Sequence, residues 1–351
     1  MVESMIAARL HRIGAKLSFD RVNVPTIGHS DVLVDVKACG LCHSDMNYRD
    51  GVAPVGKIPI TLGHEIAGVV AKTGVRVSGI RERDRVLVHY IASCGKCSYC
   101  RSGLENYCIH YRMIGKDLDG GFAEFVKVPA QNIVKLPLAL SFEQAALMGC
   151  AVPTAYHALK RGRVQEGDVV VIFGIGGVGI HAVQLAAKVF KSKMVIAVDV
   201  LDWKLELARE LGANAVVNAA KQDVPRAVSK ITQGKFGNVA VDFVCHSGTM
   251  KQAIASGGKG GRIVFVGITK DTLQIAPYKT LLGSELELIG VDDHLYSEMI
   301  ELIQLINDRQ ISLTRSVTHT VTLDAVNHGF EILQSRREKA VRVVMTKKYY
   351  G

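Results

Sequence analysis

The chain has 351 residues, of which 48% are hydrophobic and 22% are charged. At about 150 residues per domain this length predicts two domains, and the composition excludes a largely disordered chain. The formal net charge is +10, but the basic residues are scattered and form no long block. We therefore interpret the basic residues as part of a solvated surface and expect no nucleic-acid partner. The positive charge is also compatible with an anionic cofactor or substrate.

No apolar run approaches the roughly 18 residues that a membrane helix needs, and no apolar segment of the secretory type precedes Arg9. We therefore expect a cytoplasmic protein without a membrane partner. The chain has eight cysteines. Because it is neither short nor signal-bearing, these cysteines favour metal binding or catalysis over a disulfide framework.

The first 150 residues carry short β-branched segments that turn residues separate at close spacing. This pattern predicts a β-rich, barrel-like unit. The predicted strands are residues 32–36, 66–70, 85–88 and 123–128.

Near residue 150 the pattern changes to strands that alternate with helices, which predicts a doubly wound parallel sheet. The predicted strands are residues 169–173, 194–198, 239–244 and 262–266, and the predicted helices are 177–190 and 203–211. Gly212 ends the second of these helices. From about residue 290 the elements are mixed, with a helix at 297–307 and a last strand at 341–345.

A glycine-rich turn joins the first strand and the first helix of the alternating series. It has the pattern G-x-G-x-x-G at Gly174, Gly176 and Gly179, with Gly177 and Val178 between the last two. The glycines permit a tight turn, close approach of backbone N–H groups to a pyrophosphate, and close packing of the helix. Because the helix N-terminus also attracts phosphates, the turn predicts a dinucleotide site.

Asp199 ends the second strand of the series, 20 residues after Gly179. A carboxylate at this place accepts hydrogen bonds from the ribose hydroxyls and repels a 2′-phosphate, and no arginine follows in residues 200–202. We therefore predict NAD rather than NADP as the cofactor. A structural glycine turn beside a surface aspartate is the alternative.

Four cysteines lie within one short segment, and their spacing suits a closed tetrahedral zinc site. They are Cys94, Cys97, Cys100 and Cys108. Such a site stabilises the fold and leaves no ligand position for a substrate. We predict a structural zinc lobe at residues 93–109, with free thiols or an iron–sulfur cluster as the alternatives.

A second set of candidate ligands is scattered along the chain: Cys42, His64 with Glu65, and Cys150. Each of these residues alone is more often a core residue. Together, two cysteines and one histidine with a carboxylate nearby match a catalytic zinc site that has three protein ligands and one open position.

These motifs resemble those of the zinc-dependent medium-chain alcohol dehydrogenases over almost the whole chain. The matching segments are Cys-Gly-Leu-Cys-His-Ser-Asp at 39–45, Gly-His-Glu at 63–65, the four-cysteine lobe, Gly-Gly-Phe-Ala-Glu-Phe at 120–125, Gly-Cys-Ala-Val-Pro-Thr-Ala-Tyr at 149–156, and the glycine turn with Asp199. The resemblance implies a GroES-like β-rich catalytic domain over 1–151 and 291–351. It also implies a Rossmann doubly wound parallel-sheet domain over 152–290, which binds NAD.

The resemblance also implies roles around a catalytic zinc. The matches to the zinc ligands are Cys42, His64 and Cys150. Glu65 matches a carboxylate that approaches the zinc during ligand exchange, and Asp45 matches the partner that holds the ring of the ligand histidine. Ser44 matches the hydroxyl that takes the proton of the substrate.

Other matches imply contacts to NAD. They are His43 and Arg342 near the pyrophosphate, Thr154 at the nicotinamide, Lys204 at the adenosine ribose, and Val266 and Ile268 at the carboxamide. The implied reaction is reversible hydride transfer from a primary or secondary alcohol to NAD, which gives an aldehyde or ketone. One catalytic and one structural zinc per chain, and a homotetramer or homodimer, follow by the same analogy.

Two positions depart from the pattern of the family. Asn47 stands where many members carry a histidine that ends a proton relay, so His43, or the ribose hydroxyl and water, must take over that step. Asp292, Asp293 and His294 stand where small residues are common. We interpret these three residues as a solvated turn, with an altered substrate mouth as the alternative.

The sequence leaves two other functions open. A zinc-ribbon nucleic-acid-binding protein would explain the four-cysteine lobe and the positive charge, but not the glycine turn or the second set of ligands. A polyol, sugar or semialdehyde substrate keeps the reaction class. Relatives with such substrates often lack the lobe cysteines or the third ligand cysteine, and both are present here, which favours simple alcohols and aldehydes.

Some residues are expected to play lesser parts. Cys39 and Cys245 match no ligand position and are expected to be small buried residues. Tyr48, Tyr90 and residues 51–58 and 292–296 are expected, by position, to line the substrate pocket.

Overall fold

The computed structural model describes residues 3–335 and 337–347. The chain forms two compact units. The first unit comprises Met1–Pro153, His294–Gln304 and Ser312–Gly351, and the second comprises Thr154–Asp293 and Leu305–Ile311. No pattern in the sequence indicates that the short segment Leu305–Ile311 groups with the second unit.

The described residues form the following elements in chain order. The strands are β1 (Ser4–Leu10), β2 (Ser18–Asn23), β3 (Asp31–Leu41), β4 (Ile60–Thr61), β5 (Glu65–Thr73), β6 (Arg85–Val88), β7 (Ile91–Ala92), β8 (Arg112–Met113), β9 (Phe125–Pro129), β10 (Ile133–Lys135), β11 (Val169–Phe173), β12 (Met194–Asp199), β13 (Ala215–Asn218), β14 (Gly237–Asp242), β15 (Gly257–Phe265), β16 (Glu287–Gly290), β17 (Val317–Thr322) and β18 (Arg342–Thr346). The helices are α1 (His43–Arg49), α2 (Ser98–Arg101), α3 (Phe142–Leu147), α4 (Ala151–Arg161), α5 (Gly179–Lys188), α6 (Asp202–Glu210), α7 (Val224–Ile231), α8 (Ser247–Ala255), α9 (Tyr296–Asn307) and α10 (Val326–Gln334).

The first unit is built on a seven-stranded sheet in the order β10-β6-β5-β3-β18-β17, with β9 also paired to β3. Its pairs are antiparallel except for β17 with β18. Val32, Val34 and Val36 on β3 are buried in the core of this sheet, because alternate residues of a strand face the same side. A three-stranded sheet, β2-β1-β4, and the pair β7-β8 complete the unit.

The second unit is a six-stranded sheet in the order β13-β12-β11-β14-β15-β16, and all its strand pairs are parallel. The chain winds outward in both directions from the central pair β11 and β14, so the strand order reverses between these two strands. Ligands bind at such a switch point, outside the carboxyl ends of the strands. The fold is therefore the predicted combination of a β-rich unit and a doubly wound Rossmann sheet.

The predicted strands at 85–88 and 169–173 coincide with β6 and β11. The predicted helix at 177–190 begins two residues later, at Gly179, because the glycine turn continues through Val178. Strands β1 and β2 were not predicted from the sequence. No helix in the described ranges is both long and apolar enough to cross a membrane.

Candidate active site

The structure brings the four scattered ligand candidates together in the first unit. One ligand atom from each of Cys42, His64, Glu65 and Cys150 lies within 4.8 Å of the others. Cys42 caps the N-terminus of α1, His64 and Glu65 stand at the start of β5, and Cys150 precedes α4. All four side chains are buried. Three segments that are distant in sequence therefore form one compact donor set.

The local electrostatics favour a thiolate at this group. The hydrogen bond between the two thiols lowers the pKa of Cys42 well below its ordinary value and raises that of Cys150. Burial opposes ionisation of Cys42, whereas His64 and Arg342 assist it. Since metal ligation requires the thiolate form, the site is prepared for a cation.

The donor set fits zinc. Two sulfurs and one imidazole nitrogen are the ligands of known catalytic zinc sites. The fourth member, Glu65, has a buried Oε1 atom that lacks a hydrogen-bond partner in the part of the chain that the structure describes. Burial is the main cause that raises the pKa of Glu65 to about 7, against the opposing effect of Arg342. A cation bound here would satisfy that oxygen.

Asp45 holds the imidazole of His64 and shapes the start of α1. Its Oδ1 lies 3.1 Å from His64 Nδ1 and accepts a hydrogen bond from the N–H of Gly63, and its Oδ2 accepts one from the N–H of Cys42. Burial lowers the pKa of His64, but Asp45 and Cys42 outweigh burial and raise it well above its ordinary value. Because Nδ1 is bonded to Asp45, Nε2 is the nitrogen left to bind a metal.

A buried ion pair joins Glu65 to Arg342. Strand β18 pairs with β3 so that Val343 is opposite Leu41, and β5 pairs with β3 so that Glu65 is opposite Gly40. A Cβ atom at Gly40 would collide with the Glu65 carboxylate, so only glycine leaves room for it. The sequence predicted a cofactor contact for Arg342 but gave no sign of this ion pair.

Helix α1 also carries the predicted proton-transfer residues. The Cys42 Sγ atom lies 3.6 Å from Ser44 Oγ. His43 is exposed, and Ser44 and Asn47 are half-buried. The Asn47 carbonyl accepts the N–H groups of residues 52 and 53, which ties the following loop to the helix.

The four cysteines of the predicted lobe also converge, each with a ligand atom within 4.8 Å of the others. The sulfur of Cys100 lies 3.4 Å from that of Cys97 and 3.9 Å from that of Cys94, while Cys108 Sγ accepts the N–H of Cys94 at 3.3 Å. The backbone N–H groups of Lys96 and Cys97 lower the pKa of Cys94 to about 6. The cysteines are free rather than disulfide-bonded, and four sulfurs suit a closed zinc site.

In the second unit the glycine turn follows β11 at the switch point. A Cβ atom at Gly179 would collide with the carbonyl oxygen of Gly174, so glycine is needed for α5 to start this close to the strand. A Cβ atom at Gly176 would meet nothing within 4 Å. The turn therefore leaves open space beside its backbone for a phosphate group.

The carboxylate of Asp199 closes the same turn. Its Oδ2 accepts the N–H of Ile175 at 2.8 Å, and its Oδ1 accepts the N–H groups of Val200 and Leu201. Lys204 Nζ lies 4.0 Å from Oδ2. Asp199 is held in place by backbone donors and retains lone pairs for a ribose hydroxyl.

The other predicted cofactor residues occupy loops and one helix of the second unit. Gly177 and Val178 lie in the turn before α5, and Thr154 lies on α4. Val266 and Ile268 follow β15. The N–H of Val266 donates to the carbonyl of residue 242, and Ile268 is exposed.

The expected solvated turn at residues 292–294 is wrong for His294. Asp292 is exposed, but His294 has no exposed surface and packs at 5.1 Å, between ring centroids, from both His89 and Tyr90. Asp293 has a left-handed φ of 58°. The run of polar residues gave no sequence signal that its last member is buried among aromatic rings.

Two further expectations concern cysteines outside the metal groups. Cys39 and Cys245 are buried, as predicted. Burial raises the pKa of each thiol, so both are protonated and unreactive at neutral pH.

Comparison with known proteins agrees with this architecture. Residues 28–138 match the family described as "Alcohol dehydrogenase GroES-like domain", and residues 177–308 match "Zinc-binding dehydrogenase". An alcohol dehydrogenase of Geobacillus stearothermophilus is 34% identical over 93% of this chain and 95% of its own length. An NAD-dependent alcohol dehydrogenase of Sulfurisphaera tokodaii is 33% identical over 94% and 97%.

Among solved structures, an alcohol dehydrogenase of Escherichia coli CFT073 in complex with NADH has a TM-score of 0.90 and 28% sequence identity, and the match covers 98% of this chain and all of that one. The fold and the donor sets thus define a zinc-binding dehydrogenase with a GroES-like domain and a Rossmann domain. The chain belongs to the zinc-dependent medium-chain alcohol dehydrogenase family.

Proposed function

We propose that this protein reversibly oxidises a primary or secondary alcohol to an aldehyde or ketone, with NAD as the hydride acceptor and with one catalytic and one structural zinc per chain. The observation that carries the proposal is the convergence of the buried side chains of Cys42, His64 and Cys150. The glycine turn with Asp199 supports NAD, and the relatives named as NAD-dependent alcohol dehydrogenases support the reaction.

Bound zinc would supply a Lewis acid that acidifies an alcohol, and NAD would accept the hydride. Cys42, His64 and Cys150 would hold the metal, while Asp45 fixes the ring and tautomer of the histidine. Glu65, held by Arg342, is a further candidate ligand.

Proton transfer would begin at Ser44, whose hydroxyl lies beside Cys42. That hydroxyl accepts the proton of the substrate and donates its own onward. Asn47 cannot titrate near neutral pH, so the proton leaves through exposed His43 or through the ribose hydroxyl and water.

The four-cysteine lobe would hold the structural zinc, because its four sulfurs complete a tetrahedron and leave no open position. Two separate metal groups, only one of which resembles a zinc ribbon, favour the enzyme over a nucleic-acid-binding module. A polyol, sugar or semialdehyde substrate remains the alternative within the same reaction class.

We further propose that the protein acts in the cytoplasm as a homotetramer or homodimer. Strand β16 stands at the edge of the six-stranded sheet, paired only with β15 among the described residues. Tyr278 and Leu282, which precede it, are exposed by 82% and 64%. An exposed sheet edge with apolar neighbours is suited to self-association. Light scattering of the purified protein measures the assembly size.

The proposed reaction is tested by following NADH formation from NAD⁺ with primary alcohols, secondary alcohols, diols and hydroxy acids. We expect turnover with at least one of them, and loss of that turnover in Cys42→Ser. The matched control is Cys39→Ser, which changes a buried cysteine outside the donor set and should retain turnover. Absence of NADH formation from every alcohol, with NAD and zinc bound, would contradict the proposal.

A further inference from the structure

Four ring side chains form a cluster in the first unit, and three of them, His89, Tyr90 and His294, are buried. This ring cluster consists of His89, Tyr90, His294 and Tyr296. The centroid distances are 5.1 Å from His89 to His294, 5.1 Å from Tyr90 to His294 and 6.0 Å from His89 to Tyr296. The first two residues follow β6 and the other two lie at the start of α9, so the cluster joins distant parts of the chain.

The ring cluster touches the candidate zinc ligand His64. Tyr90 contacts the His64 imidazole at 5.2 Å with the ring planes at 83°, and it contacts His294 at 5.1 Å and 86°. Edge-to-face contacts at these distances are favourable and directional. Tyr90 therefore makes a perpendicular contact with each of two imidazoles, of which one is a candidate ligand.

Asp45 alone does not determine how the His64 ring is tilted. A hydrogen bond to Nδ1 fixes one atom of the ring, whereas the tilt about that bond depends on what packs against the ring. Tyr90 at 5.2 Å is closer to His64 than Tyr48, at 6.5 Å. His64, Tyr90 and His294 each expose at most 2% of their surface, so none can turn without displacing another.

The start of α9 is itself anchored, so His294 has a defined position. The Tyr296 hydroxyl donates to the carbonyl of Ile133 at 2.9 Å, and Glu298 accepts the N–H of Leu295 at 3.0 Å. Residue 294 is also where the chain re-enters the first unit. The α9 side of the cluster thus rests on an anchored segment.

Within the ring cluster, His89 adds little charge beside the donor set at neutral pH. Burial lowers the pKa of His89 to about 4, although a hydrogen bond with the His294 backbone and the charge of Glu298 oppose this effect. His89 is therefore neutral at pH 7, and its contribution to the cluster is packing rather than charge.

We propose that His294 is a positioning residue that acts through Tyr90 to fix the tilt of the His64 imidazole and so strengthens zinc binding at the Cys42, His64 and Cys150 site. The inference rests on the proposed function, because it requires zinc at that site. It assigns to residue 294 a part in metal binding although its side chain is not a ligand.

The test measures zinc release to a chelator from the intact enzyme, together with the visible spectrum of the cobalt-substituted protein. His294→Ala removes the ring, and we expect about tenfold weaker zinc binding at the catalytic site, the lower end of what lost supporting contacts cost, and a changed cobalt spectrum. His294→Phe keeps a ring and should stay within about twofold of the wild type. Zinc in the four-cysteine lobe serves as the internal control.

A second variant, Tyr90→Leu, keeps an apolar side chain without a ring face and should weaken zinc binding as His294→Ala does. His157→Leu is the control for loss of a buried histidine elsewhere and should leave both readouts unchanged. Wild-type zinc release and cobalt spectra in His294→Ala, or in Tyr90→Leu if the first variant does not fold, overturn the inference. Equal losses in His294→Phe and His294→Ala also overturn it. A wild-type enzyme that binds zinc only in the lobe refutes the proposed function instead.

Discussion

The two metal-binding groups of the first unit differ in how they are built. The four-cysteine lobe comes from one segment of 15 residues, 94–108, and three of its cysteines are partly exposed. The other group combines residues 42, 64, 65 and 150, and all four are buried. A lobe of sulfur alone suits a closed structural site, whereas a buried mixed donor set suits chemistry.

The two metal-binding groups also differ in which neighbours shift the pKa values of their side chains. Backbone N–H groups lower the pKa of Cys94 in the lobe. In the buried group, side chains shift the pKa values of their neighbours. Arg342 lowers the pKa of Glu65, Asp45 raises that of His64, and His64 lowers that of Cys42. Charges in a low-dielectric interior interact more strongly than at the surface. The comparison teaches that burial, more than ligand type, sets the electrostatics of the candidate catalytic site.

The largest effect on this comparison should come from breaking the buried ion pair. Arg342→Met leaves the Glu65 carboxylate buried without its partner, and we expect a loss of about 3–5 kcal/mol in the free energy of unfolding, measured by denaturant titration. Arg163→Met is the control, because its pair with Glu287 is exposed and its loss should hardly move the denaturation midpoint.

The double variant Arg342→Met with Glu65→Gln distinguishes a lost pair from lost packing. Since it removes both charges, it should recover much of the stability that Arg342→Met loses. An Arg342→Met protein as stable as the wild type would show that the ion pair contributes nothing to the free energy of unfolding. It would also show that burial is not what makes the electrostatics of the two metal-binding groups differ.

A smaller effect should come from the buried His89, which should make the free energy of unfolding depend on pH. The pKa of His89 is about 4 in the folded protein and about 6.5 in the unfolded chain. Between these values the unfolded state binds more protons, so stability should fall as pH drops from 6.5 towards 4. The full difference amounts to about 3 kcal/mol.

His89→Phe should abolish that part of the pH dependence, measured as unfolding free energy at several pH values. His29→Phe is the control, because His29 is exposed and its replacement should leave the slope unchanged. An identical slope in wild type and His89→Phe would show that His89 titrates normally.

The two regions also differ in how far the sequence predicted them. The lobe and the glycine turn with Asp199 are local patterns whose spacing carries their chemistry, so both could be placed before the fold was known. The donor set of Cys42, His64 and Cys150 could be proposed from its residue types, and the family resemblance added the roles of its members. Nothing in the spacing of these residues shows that they meet.

The features that escaped prediction depend on strand pairing and packing. Glu65 and Arg342 are 277 residues apart, and they meet because β5 and β18 flank β3 in a particular register. His294 follows two aspartates and has the pattern of a surface turn, yet it is buried against rings from the segment after β6. Such contacts leave no periodicity or motif in the sequence.

The central claim is that three side chains from distant segments hold a zinc distinct from that of the lobe. The most direct test is the zinc content per chain of the purified wild type, of Cys42→Ser and of Cys97→Ser. We predict two zinc ions in the wild type and one in Cys42→Ser, with zinc lost from the lobe alone in Cys97→Ser. A wild type with a single zinc that Cys42→Ser retains would contradict the account.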